Sequence, residues 1–299
     1  MTELEYRIVD VFTDRALAGN PLAVVWDRCG LTTGQMQAIA REFNLSETSF
    51  IERRAEEVEQ AEGVRVRIFT TQEELAFAGH PTLGTAAVLR REAPETVRDG
   101  RVTLALNVGP VLVRFAGPEA GNGAVFGEMM QRDPEFGPVL DRARVAWLTG
   151  LDAGDLDPRL EPQTVSTGTA FAIVPLVSDG PLGKLHVDQD AATAWLRESG
   201  SRWLYVLGPT GGHSPAWRAR MQFYGGEDPA TGSAAGCAIS YLVRYGAVPS
   251  GERVHLRQGV EIGRPSEIFF SARALDSHVT EIRVGGSTVP VAAGRLFLA

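Results

Sequence analysis

The sequence predicts an α+β protein made of two related halves. Three landmarks recur in the same order about half a chain apart, and each half mixes the period-2 and period-3.6 patterns of strands and helices. At 299 residues there is room for two medium domains, and about 75% of the unfolded surface could be buried at that size.

The first landmark is "GNPLAVV" (19–25), which pairs with "GTAFAIV" (168–174). Each is a glycine followed by a short apolar run, the pattern of a buried strand. The second pairs "AIAREFNLSETSFI" (38–51) with "AWLRESGSRWLYVL" (194–207): the end of an amphipathic helix, an Asn or Gly break, then a strand. The third pairs "VRVRIFTTQEELAFAGHPTLGTAAVL" (64–89) with "WRARMQFYGGEDPATGSAAGCAISYL" (217–242): an alternating strand, an acidic turn and a helix of small residues. The offsets between partners are 149, 156 and 153 residues. That period is far too long for a solenoid and predicts two homologous domains.

The Gly-rich stretch "RFAGPEAGNGAVF" (114–126) reads as the joint between them. The tail "EIRVGGSTVPVAAGRLFLA" reads as two strands around a Gly-Gly turn, the last returning to the first domain. The expected domains are therefore 1–118, completed by 289–299, and 119–288.

Bulk chemistry narrows the function. A net charge of −8 argues against a nucleic-acid face, and the basic residues are scattered. In "RVRIF" and "WRARM" they alternate as they would on the wet side of a strand. Apolar runs stay shorter than a membrane span, and "MTELEYRIVD" lacks a signal-peptide pattern. Cys29 and Cys237 give neither a disulfide framework nor a metal-ligand cluster, so a reducing cytoplasm and no metal are expected. Phosphate-loop, dinucleotide-binding, zinc-protease and serine-hydrolase motifs are all missing from the sequence.

The chemistry concentrates at the two starts of the small-residue helices, "FAGHPTLG" and "DPATGSAAG". A duplicated unit sets its equivalent helix starts facing each other across a cleft. Each start offers orphan backbone N–H groups and the positive end of a dipole, so a small carboxylate beside Gly79, Gly232 and Ser233 is the expected ligand. His80 at the first start is expected to be neutral, either as an acid–base group or simply packed in the turn. Asp228 at the second start can cap the helix, and capping does not exclude catalysis. Glu227 reads as structural. Glu47 in "NLSETSFI" precedes Phe50 and Ile51; by pattern it fits a cleft-facing acid–base group and an exposed edge-strand residue equally well. Cys237 reads as packed, Cys29 as a turn residue, and His186, His213, His255 and His278 as surface residues. The stretch 208–216, "GPTGGHSPA", carries no readable specificity code.

The motifs "GNPLAVV", "SETSFI", "FAGHPTLGT", "GEDPATGSAAG", "IGRPSEI" and "VGGSTVPV", in this order across nearly the whole chain, resemble the phenazine-biosynthesis PhzF-like family of the diaminopimelate-epimerase fold. The resemblance implies two pseudo-symmetric domains, each a mixed sheet wrapped around a central helix, with the active site between them. It also implies a cytoplasmic homodimer that needs no cofactor. By motif, Glu47 matches the family's acid–base glutamate, His80 and Asp228 its supporting pair, and Gly79 and Ser233 its substrate contacts. The epimerase relatives use two cysteines as opposed acid and base, where this chain has Ala78 and Thr231, which excludes two-thiol chemistry. What the resemblance leaves is a single-carboxylate isomerase. It would move a proton within a small cyclic or unsaturated amino or hydroxy acid, as the phenazine enzyme does with trans-2,3-dihydro-3-hydroxyanthranilate. The alternative is a member of the fold that binds a small carboxylate or another protein without catalysis. Retention of Glu47, His80 and Asp228 together favours the enzyme.

Overall fold

The computed structural model describes residues 2–212, 216–223, 226–276 and 278–298. His213 and Gly225 lie outside the described residues. The chain forms two compact units, Met1–Met130 with Gly285–Ala299, and Gln131–Val284.

In unit 1, β1 (Thr2–Val11) pairs antiparallel with β2 (Asn20–Asp27). The helix α1 (Thr33–Phe43) crosses over, so β3 (Glu47–Glu52) runs parallel to β2. The helix starts on a reciprocal Thr32–Gln35 capping box and stops at Asn44, which takes the left-handed conformation at φ 50°. After α2 (Glu56–Glu62) come β4 (Val64–Phe69), the short β5 (Glu74–Leu75) and the long helix α3 (Gly79–Glu92). The strands β6 (Arg101–Leu106), β7 (Gly109–Ala116) and β8 (Val125–Met130) follow. β4 pairs antiparallel with β3 and parallel with β6, and β6, β7 and β8 continue antiparallel.

Unit 2 repeats this order. It contains β9 (Glu135–Val139), α4 (Arg142–Thr149), β10 (Gln163–Ser166) and β11 (Ala170–Pro175). There follow α5 (Gln189–Glu198), β12 (Trp203–Pro209), β13 (Trp217–Arg220) and the small pair β14 (Gln222–Phe223) and β15 (Gly226–Glu227). Then come α6 (Gly232–Arg244), β16 (Val254–Gln258), β17 (Ser266–Leu275) and β18 (His278–Leu298), whose second part belongs to unit 1. β11 and β12 are parallel across α5 as β2 and β3 are across α1, and β13 and β16 are parallel as β4 and β6 are. The three sequence landmarks thus occupy equivalent places in one topology.

In unit 1 the second part of β18 neighbours β8 and pairs with β1, so the strands close into a ring. α3 touches β1, β2, β3, β6, β7 and β8, and its residues from Gly79 to Leu89 are buried. A helix enclosed this way needs small side chains: a Cβ at Gly84 would meet Leu22 Cδ2 at 2.6 Å and Val11 Cγ2 at 2.9 Å. In unit 2, α6 packs on β10, β11 and β17 and is buried from Gly232 to Val243.

Three expectations change. The Gly-rich stretch 114–126 is the connection of the β7–β8 hairpin inside unit 1, not a joint. Arg90 and Arg91 at the end of α3 bind it through the carbonyls of Gly117 and Gly123, so its glycines serve a docked loop. The division accordingly follows Met130 rather than residue 118, and the return segment starts at Gly285 rather than 289. The tail is one continuous strand instead of two around a Gly-Gly turn. Gly285 is there for close approach, since a Cβ would fall 2.8 Å from the Gly127 carbonyl.

Candidate active site

In unit 1 the site assembles where β2, β3 and α3 begin. Asn20 is the first residue of β2 and Glu47 the first of β3, with Glu47 registered beside Leu22. The left-handed stop at Asn44 ends α1 and turns the chain so that Glu47 opens the strand. His80 is the second residue of α3. That helix starts after an extended Ala78 with no side-chain cap, and its first backbone bond in the helix is Thr82 N–H to Ala78 O at 3.3 Å. Pro81 has no N–H to satisfy, so the helix leaves the N–H groups of Gly79 and His80 to other acceptors.

His80 is 3% exposed, and burial pushes its imidazole down to about 3 from an ordinary 6.5. It is neutral at neutral pH. Asn20 Nδ2 lies 3.1 Å from His80 Nδ1 and donates to it, which makes Nδ1 the acceptor and puts the proton on Nε2. That Nε2–H faces Glu47 Oε2 at 3.4 Å. With the imidazole neutral, this contact is a long polar approach and not an ion pair. The Glu47 side chain keeps 16% of its surface exposed, while its Oε2, on the His80 side, is buried.

The neutral imidazole has a measurable consequence. Unfolded, His80 takes a proton near pH 6.5, whereas folded it resists until about pH 3. The unfolded chain therefore binds more protons across that window, and stability is full above pH 6.5 and lost as pH falls. Each unit below 6.5 should remove up to about 1.4 kcal/mol. Urea unfolding of wild type and His80→Gln at pH 7 and pH 5 should show the smaller acid loss in the variant. Equal losses would mean that His80 is charged in the folded state.

In unit 2, Asp228 and Ser233 are each 8% exposed, and Gly232 opens α6. Thr231 precedes the helix, and its hydroxyl donates to Asp228 Oδ2 at 2.6 Å. No side chain caps α6, whose first backbone bond in the helix is Ala235 N–H to Thr231 O at 2.9 Å. Two polar residues in these surroundings carried no site assignment in the sequence: the buried Asn20 and the buried Gln258, which bonds Asp228, Thr231 and Tyr205. The available signal was a polar residue placed against an apolar run, in "GNPLAVV" and "VHLRQG".

Glu227 is held by Arg220 through two bonds, Nε to Oε1 at 2.9 Å and Nη2 to Oε2 at 2.5 Å. Arg220 is 8% exposed, which corrects the reading of "WRARM" as a wet face: its partner carboxylate allows it inside. His255 likewise is not a plain surface residue, because it is hydrogen-bonded with Glu267 and stacked on Phe269. His186 and His278 are exposed. Cys237 is fully buried and its thiol is pushed up to about 11 by burial, while Cys29 is exposed. Iodoacetamide at pH 7.5 should therefore label Cys29 alone in the folded protein and leave turnover intact. Labelling of Cys237, or loss of turnover from the Cys29 adduct, would reopen thiol chemistry.

Residues 9–294 match the PhzC-PhzF family, described as phenazine biosynthesis-like protein. The trans-2,3-dihydro-3-hydroxyanthranilate isomerase of Pseudomonas aeruginosa is 36% identical over 98% of this chain and 99% of its own. Among solved structures, a protein from Pseudomonas aeruginosa described as a predicted epimerase shares 35% identity with a TM-score of 0.83, covering 99% of each chain. A PhzF-family phenazine biosynthesis protein from Bacillus anthracis superposes at a TM-score of 0.86 over 100% of each chain; at 24% identity it bears on the fold alone. The fold is the epimerase-like α+β fold of two pseudo-symmetric halves.

Proposed function

The chain belongs to the phenazine biosynthesis-like PhzC-PhzF family and is an isomerase, and from that premise we propose that Glu47 is its single acid–base group, moving a proton within a small cyclic, unsaturated amino acid. The observation that carries this reading is the set of contacts around His80. A neutral imidazole, fixed in one tautomer by Asn20, turns its Nε2–H toward the carboxyl of Glu47, a side chain that is only partly buried.

One carboxylate suffices if it takes a proton from one carbon and returns it to another on the same conjugated system. The Glu47 carboxylate becomes a carboxylic acid in the first half and is regenerated in the second, so no other base and no redox partner is needed. The His80 Nε2–H can hydrogen-bond the carboxylate or the polar group of the intermediate without becoming a competing base, because burial keeps it neutral. Gly79 and His80 offer N–H groups at the start of α3, suited to a carboxylate. Within unit 2, Asp228 is proposed as a hydrogen-bond-accepting carboxylate.

The substrate class follows the Pseudomonas aeruginosa relative, so trans-2,3-dihydro-3-hydroxyanthranilate is the compound to try first. A cytoplasmic homodimer is the expected setting, by the same resemblance. The test is that compound with wild-type protein in heavy water, followed by NMR. Isomerisation with solvent deuterium at a single carbon is expected unless the shuttled proton stays shielded from exchange. No isomerisation of this compound, or of a panel of related cyclic amino acids, would return the site to mere carboxylate binding.

A further inference from the structure

We propose that Gln258 is a positioning residue that holds Asp228 as a hydrogen-bond-accepting carboxylate, acting through the hydroxyl of Thr231. The inference deepens the reading of Asp228 given above and rests on it.

Gln258 ends β16 and is fully buried. Its amide meets four groups. Oε1 lies 3.2 Å from the Thr231 N and 3.0 Å from the Tyr205 hydroxyl. Nε2 lies 2.8 Å from the Asp228 carbonyl and 2.9 Å from Thr231 Oγ1. The two ends of an amide are often ambiguous, but here backbone groups decide. The Thr231 N–H can only donate and the Asp228 carbonyl can only accept, so a reversed amide would oppose like groups at both contacts.

Direction then propagates outward. The NH₂ group gives one proton to the Asp228 carbonyl and the other to Thr231 Oγ1. Thr231, having accepted, directs its own O–H to Asp228 Oδ2 at 2.6 Å, the distance of a charge-assisted bond to a carboxylate. Tyr205 must donate to Oε1, and it stays protonated because burial and the nearby Asp228 charge raise its pKa. The side chain of Gln258 is thereby saturated, with each of its four bonds in one sense only.

The backbone is shaped for this arrangement. Gly259 sits at φ +76°, and a Cβ there would fall 2.4 Å from the Arg264 carbonyl and 2.6 Å from that of Pro229, the residue after Asp228. Only glycine lets the end of β16 come this close to the turn. Thr231 also immediately precedes α6, so the same bonds set where Gly232 and Ser233 begin the helix.

The experiment compares Thr231→Ser, Thr231→Val and Gln258→Met with wild type, after circular dichroism confirms the fold. Loss of one charge-assisted hydrogen bond should lower kcat/KM on trans-2,3-dihydro-3-hydroxyanthranilate roughly ten- to hundredfold in Thr231→Val and Gln258→Met. Thr231→Ser, which keeps the hydroxyl, should restore most of it. A second readout needs no substrate: the ¹³C resonance of the Asp228 carboxyl at pH 7, assigned by its loss in Asp228→Asn. It should hold its place in Thr231→Ser and move in Thr231→Val and Gln258→Met. An unmoved resonance in Thr231→Val overturns the assignment whatever the activity, and the Thr231 pair suffices if Gln258→Met fails to fold. Glu47→Gln is run beside them: retained turnover there with a displaced Asp228 resonance sinks the Glu47 reading and leaves this one standing.

Discussion

Glu47→Gln should lower turnover of trans-2,3-dihydro-3-hydroxyanthranilate by about 10²–10⁴, the usual worth of a positioned general base. The substitution keeps the shape of the side chain and removes the titrating carboxyl. The His80 Nε2–H, 3.4 Å from Oε2 in the wild type, can still meet an amide oxygen, so the local packing should survive. Affinity for anthranilate as a substrate-like probe should change little in calorimetry, because backbone N–H groups at the start of α3 are proposed to hold its carboxylate. The split between lost turnover and kept affinity is what separates a base from a binding residue. His80→Ala should lower turnover less, since its role is to orient and to hydrogen-bond. If Glu47→Gln turned over at the wild-type rate, the proton would have to travel by another group and the proposal would fail.

The sequence carried the repeat unusually well, because each landmark is local: an apolar run, a helix with its break, a strand followed by a small-residue helix. β2 and β11, α1 and α5, and α3 and α6 all lie where those landmarks put them. What escaped depends on neighbours distant in sequence. Asn20 reads as a polar residue before a strand, and its purpose appears only when His80, sixty residues on, comes within 3.1 Å. Gln258 reads as the end of an alternating strand until Asp228 and Thr231 close around it. Glycine misleads for the same reason. Gly285 permits close approach and not a turn, and a sequence does not record which backbone will press against it. Arg220 looked solvated because alternation counts faces, whereas burial of a charge depends on whether a partner arrives, and Glu227 does.

Breaking the buried pair of Arg220 and Glu227 should give a large stability effect. Their side chains are 9% and 5% exposed, and Arg220 Nη1 also donates to the Leu182 carbonyl at 2.6 Å. Removing one member of such a pair leaves a charge out of water without its counterpart, which typically costs about 3–5 kcal/mol. Glu227→Gln should fall at the low end, near ~3 kcal/mol by urea unfolding, because the Glu261 carboxyl stands 3.8 Å from Arg220 Nε and supplies partial compensation. Arg220→Met should lose at least as much, since Glu227 would keep only the 3.3 Å bond from Gln222 among the side chains described around it. The double variant Arg220→Met/Glu227→Leu should recover much of either loss, because apolar side chains of similar volume need no desolvation offset. Glu227 is the residue immediately before Asp228, so the kinetics matter as much as the melting. Well below its unfolding midpoint, Glu227→Gln should turn over within about tenfold of wild type, far above Glu47→Gln. A stable Glu227→Gln protein that had lost its turnover would move Glu227 from the scaffold into the chemistry, and the single-carboxylate mechanism would have to be rewritten around two.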